Sequence, residues 1–137
     1  MRILVDTNVV LDLFLAREPF FAGAARLFAM IERGEVEAYL CAASVTTVDY
    51  LLRRSLGASE AKKALRLLMR LFGVAPVNRA VLEAALDSRV RDFEDAVIAE
   101  SARLVDAAQI VTRNTRDFRG SPVAALEPSR FLAKQQD

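Results

Sequence analysis

Ile3, Leu4 and Val5 run without a polar break into Asp6, and this short junction constrains the fold more than any other part of the chain. A strand with one face in water alternates apolar and polar residues, whereas an unbroken apolar run suits a strand covered on both faces of a parallel sheet. Open α/β sheets collect their ligands at the carboxyl ends of such strands. A carboxylate placed there loses hydration and needs a compensating partner. Two readings of Asp6 follow: a cap for a helix starting at Thr7, or a member of a polar site at the sheet edge.

The pattern downstream supports a parallel sheet. Strands over 2–6, 38–41, 74–77 and 109–112 alternate with helical stretches over 7–15, 20–33, 44–54, 60–72, 79–88 and 92–106. Residues 113–118 read as a loop, with an extended piece near Val123 and a last helix over 127–134. Gly34 stops the second helix, Ser59 is positioned to cap the fourth, and Pro76 places its strand at a sheet edge. The alternation predicts an α/β fold, a three-layer α/β/α sandwich. At 137 residues it is expected to be one domain.

Composition narrows the chemistry. With no histidine in the chain, Ser-His-Asp and Cys-His catalysis, His-bound zinc and paired-imidazole RNA cleavage are excluded. Acid–base or metal chemistry therefore falls to carboxylates. Cys41 is alone, which rules out an internal disulfide and fits a reducing, cytoplasmic setting. No apolar run approaches the ~20 residues that span a bilayer, and a lone Arg2 before Asp6 is not a signal-peptide pattern. Net charge is only +1, yet of the 19 basic residues just Lys62, Lys63 and Lys134 are lysines. Arginine suits bidentate phosphate contacts, although GC-rich coding produces the same bias. Apolar residues make up 53% of the chain, which leaves a generous core or a surface covered by a partner.

Several carboxylates fall at strand ends or on faces that should be buried. Asp95 heads the stripe Ile98, Ala99 and Ala102, so it shares the face that packs on the sheet. Asp92, one turn earlier, either joins it or caps the helix. Asp49 sits among apolar neighbours. Asp117 follows the fourth strand, as a site residue or as a solvated acid paired with Arg116 or Arg119. Asp12 reads as a helix-surface or local pairing residue. Carboxylates converging on one sheet edge repel one another, and a hard divalent cation with oxygen ligands relieves that repulsion. Mg²⁺ or Mn²⁺ held in this way can activate water for attack on phosphorus. Arg53, Arg113 and Arg116 are candidates to hold a nucleic-acid backbone.

Three blocks, Val5-Asp6-Thr7-Asn8-Val9-Val10-Leu11-Asp12, Asp92-Phe93-Glu94-Asp95-Ala96-Val97-Ile98-Ala99 and Val111-Thr112-Arg113-Asn114-Thr115-Arg116-Asp117-Phe118, together resemble the PIN domain, particularly the VapC-type toxins of toxin–antitoxin pairs. The resemblance covers essentially the whole chain. It implies a 3-2-1-4-5 parallel sheet, an Mg²⁺- or Mn²⁺-dependent endoribonuclease acting on RNA, a homodimer, and inhibition by a cognate antitoxin. Asp6 and Asp95 match the family's strongest metal-binding acids, and Asp117 its later acid, with Asn114 beside it. Asn8 and Thr112 match polar residues that orient those acids. In the middle block the family commonly carries Glu; Asp49, one methylene shorter, is the best fit, and a shift of one residue would put Tyr50 there.

Two other functions compete. A haloacid-dehalogenase-like phosphatase also starts with Asp after its first strand, but needs a second acid where this chain has Asn8. A non-catalytic RNA- or protein-binding module would keep the acids as caps and structural pairs. Such a module would show no Mn²⁺-dependent stabilisation, whereas a working site would.

Overall fold

Five strands, Arg2–Val5 (β1), Glu37–Cys41 (β2), Gly73–Ala75 (β3), Gln109–Val111 (β4) and Ala124–Leu126 (β5), pair side by side in a computed structural model that describes residues 1–136. All pairings are parallel and the order is β3-β2-β1-β4-β5, as the family resemblance implied. The helices are Thr7–Phe14 (α1), Phe21–Glu32 (α2), Ala42–Leu56 (α3), Ala58–Leu71 (α4), Arg79–Leu86 (α5), Phe93–Leu104 (α6) and Pro128–Gln135 (α7), with a 3-10 turn over Thr115–Phe118.

The apolar run of β1 explains the layering. Alternate side chains of a strand point to opposite faces. Ile3 and Val5 pack with α1, α2, α3, α4 and Phe131 of α7, whereas Leu4 packs with α5, α6, Cys41 and Phe118. Both faces are thus covered, and Ile3, Leu4 and Val5 are all at most 1% exposed. Helix α6 is buried over Ala96–Ala102, Glu100 and Ser101 included, because it is pinned between the sheet and α5.

Sequence-based expectations differ from the structure in three places. Ser59 is not a cap: α4 begins at Ala58, and Gly57 at φ +89° turns the chain directly from α3 into α4. The residues read as a loop after the fourth strand form the 3-10 turn, with Phe118 buried beneath it. Asp12 is not on a helix surface but 1% exposed, and of its two readings the local pairing holds, with Arg17. Pro76 lies just past β3, which is an edge strand as expected. Among the described residues no helix is long and apolar enough to cross a membrane.

Candidate active site

Strands β1 and β4 pair with Val5 opposite Val111, so the next residue of each, Asp6 and Thr112, emerges at the same edge. The Thr112 hydroxyl donates to Asp6 Oδ2 at 2.8 Å. That hydroxyl oxygen accepts from Asn8 Nδ2 at 3.3 Å and from the Asn114 backbone N–H at 3.0 Å. With two donors on the oxygen, its single proton is left for Asp6. Asp6 Oδ1 accepts the Thr7 N–H at 2.8 Å, which makes Asp6 the N-cap of α1, and Asn8 Nδ2 reaches Oδ2 at 3.4 Å. Asp6 therefore caps a helix, and it also sits buried among polar partners at the carboxyl edge of the sheet.

Asp95 arrives from the first turn of α6. Asp92 is that helix's N-cap, its Oδ1 accepting the Asp95 N–H at 3.0 Å. The Asp95 carboxyl is pushed up to about 7, first by burial and then by the negative charges of Asp92, Asp6, Asp117 and Glu94. Asp6 is also raised, chiefly by burial; the bonds from Thr112 and Thr7 oppose the rise, and the charges of Glu94 and Asp117 add to it. Acids from β1, α6 and the 3-10 turn thus share one field. A pocket of about 280 Å³ opens beside them, lined by Arg91, Asp92, Asp95, Arg116, Asp117 and Arg119. Among the described residues no three acidic side chains are drawn close enough to ligate one ion together.

The remaining sequence candidates are placed differently. Asp49, on α3, shares the single Nε–H of Arg53, which lies 2.9 and 3.1 Å from its two oxygens. The acids that weigh most on Asp6 and Asp95 do not include it. Arg53 makes that pair through Nε alone, and its side chain is half-exposed. Arg116 does line the pocket, as expected. Arg113 is engaged instead by Asp12, with Nε 2.6 Å from Oδ2 and Nη2 3.2 Å from Oδ1. Arg17 Nε adds a third contact to Asp12 at 2.9 Å. Asn114 contributes its backbone N–H to Thr112, and its side chain is exposed.

Sequence reasoning missed the importance of Asp12. Arg113 held by Asp12 donates its backbone N–H to Asn8 Oδ1 at 3.2 Å, and Arg17 Nη2 reaches the Asn8 carbonyl at 3.2 Å. Asp12 therefore fixes Asn8, and Asn8 fixes Asp6 and Thr112. The available signal was an acid between Leu11 and Leu13 on a helix whose apolar residues face inward. Glu94, Arg91 and Arg119 were missed as well, because acids and arginines in short polar stretches read equally well as solvated.

A model of the PIN domain matches residues 2–116. No curated protein matches the chain in sequence. Among solved structures, the fold is similar to FitAcB from Neisseria gonorrhoeae (TM-score 0.71, 21% identity, 93% of this chain and 98% of that one). VapBC2 from Rickettsia felis, bound to a promoter DNA fragment, aligns with TM-score 0.70 and 12% identity over 93% of this chain and 98% of its own. VapC20 from Mycobacterium tuberculosis, a toxin that cleaves the sarcin–ricin loop, aligns with TM-score 0.63 and 21% identity over 79% and 86%. With the topology, the acids at the edge of the sheet and the family model in agreement along most of its length, the chain belongs to the PIN domain family.

Proposed function

We propose that this chain is a divalent-metal-dependent endoribonuclease and the toxin of a toxin–antitoxin pair. One observation carries the reading: Asp6 and Asp95, far apart in sequence, come to the same carboxyl edge of the sheet, near enough that the Asp6 charge adds to burial and Asp92 in raising the Asp95 carboxyl. The donor set consists of hard oxygens, half-buried and in excess negative charge, which fits Mg²⁺ or Mn²⁺. Asp6 and Asp95 are the residues that would hold such an ion, with Asp117, whose charge weighs on both, a further candidate. When bound, the ion supplies an activated water and neutralises charge building on the phosphodiester.

The protein's own part is positional and electrostatic. Thr112 and Asn8 hold the Asp6 carboxylate in a single orientation, so its outward lone pairs are fixed before any ligand arrives. Asp95, titrating near neutrality, can keep or give up a proton at working pH. Arg91, Arg116 and Arg119 border the pocket and supply planar, bidentate donors for phosphate oxygens. The sarcin–ricin-loop-cleaving VapC20 supports RNA as substrate, and a toxin–antitoxin complex from Klebsiella pneumoniae, similar in fold, supports an antitoxin partner. A homodimer is part of the same proposal.

The test is cleavage of a fluorescent single-stranded RNA with Mn²⁺ or after EDTA. Wild-type protein should cut only with metal, and Asp6→Asn and Asp95→Asn should fall to background with unchanged circular dichroism. Full cleavage by both variants would refute the assignment. The binding-module alternative predicts no cleavage and no Mn²⁺-dependent rise in melting temperature.

A further inference from the structure

A second cavity, of about 400 Å³, lies between the start of α2 and the start of α7. Arg113 connects it to the carboxylate edge: its backbone N–H is bonded to Asn8, and its guanidinium lines the cavity. That guanidinium lies 3.9 Å from the centroid of the Phe20 ring, flat donor over flat aromatic. Phe20 itself is 42% exposed, so part of the ring stays open to a ligand. Arg26 and Arg113 against the single Glu127 make the lining net positive. Asp12 does not cancel this, since it is shared between Arg113 and Arg17.

We propose that this cavity is a base-binding subsite, taking one unstacked nucleobase of single-stranded RNA beside the phosphodiester held at Asp6 and Asp95. The proposal rests on the nuclease reading and adds to it where the substrate is gripped. Unpaired bases are recognised by stacking on aromatic rings and guanidinium planes, and Phe20 with Arg113 presents both. A positive lining favours a polyanion over a segment anchored by its own cations. Glu127 offers an acceptor for an exocyclic amino group, so bases that carry one should be preferred to uracil. Gly23 leaves the opposite wall open: an added Cβ would meet only Pro128 Cβ, at 4.0 Å, so a larger side chain there would enter the cavity.

The experiment uses the cleavage-deficient Asp6→Asn protein and a short single-stranded RNA carrying 2-aminopurine at each position in turn. Stacking on Phe20 should quench the probe at one position. Phe20→Ala and Gly23→Leu should abolish that quench and weaken RNA binding about ten-fold, the size of one lost base–aromatic stack. Phe20→Trp should restore both. No quench at any position, or a quench indifferent to all three changes, would overturn the subsite. Loss of binding to a co-purifying protein with RNA binding unchanged would overturn it too, as a protein-docking surface. Wild-type cleavage of the same RNA with Mn²⁺ is read in parallel: cleavage without quenching sinks the subsite alone, and quenching without cleavage sinks the nuclease reading alone.

Discussion

Thr112 has one proton and three neighbours, and spends the proton on Asp6. Thr112→Val keeps the shape of the side chain and leaves a buried carboxylate oxygen with only the long contact from Asn8. We expect a loss of about 1–3 kcal/mol in urea unfolding at neutral pH, together with a further rise of the Asp6 carboxyl followed by NMR titration. Asp12→Ala should cost more, about 3 kcal/mol, because two guanidiniums lose their shared partner and Asn8 is set free. Glu35→Ala, which breaks an exposed pair with Arg33, serves as the control and should change stability by less than about 1 kcal/mol. Asp95 gives a pH signature. Its folded-state carboxyl lies near 7 against an ordinary value of 3.8, so the folded protein holds an extra proton between those values. The associated stability is fully present below about pH 4 and is lost as pH rises through about 7. In EDTA, the urea midpoint should therefore fall between pH 5 and pH 8, and Asp95→Asn should flatten that slope. A slope unchanged by Asp95→Asn would place the buried charge elsewhere.

Strand β1 was legible from three apolar residues because a strand covered on both faces leaves no other choice of side chain. The helices were legible by period, and their ends where capping chemistry is explicit, as at Gly34 and Asp92. Ser59 misled because Gly57 turns the chain by its own backbone, and a good capping residue nearby is not evidence that a cap is needed. Asp6 and Asp95 were legible as acids at the heads of buried faces, and the fold brings both to one edge of the sheet. Asp12 was not: a mid-helix acid declares its partner only when Arg113, from the other end of the chain, folds onto it. Arg53 and Asp49 pair with each other along α3, a contact that their i, i+4 spacing already allows. Edge strand β3 carries an element-level prediction. A Cβ at Gly73 would stand 2.6 Å from the Tyr39 ring on β2. Gly73→Ala should destabilise the protein by about 1–3 kcal/mol, and Tyr39→Ala in the same chain should recover part of it by removing the clash.

Across the whole molecule, the sheet order brings the ends of β1 and β4 together and lets α6 deliver its first turn to the same edge, so the carboxylates meet although the chain separates them by some ninety positions. Their repulsion is destabilising, and a bound cation should convert it to attraction. Mn²⁺ should therefore raise the melting temperature of the wild-type protein and cancel the fall in stability between pH 5 and pH 8. Calorimetric titration of Mn²⁺ into wild-type protein, Asp6→Asn, Asp95→Asn and the double variant tests most directly whether the two acids share one ion. We expect one site in the wild type, a large loss of affinity in each single variant, and a double variant little worse than either. Losses that simply add, or wild-type affinity no better than that of the variants, would show that Asp6 and Asp95 do not hold a common metal.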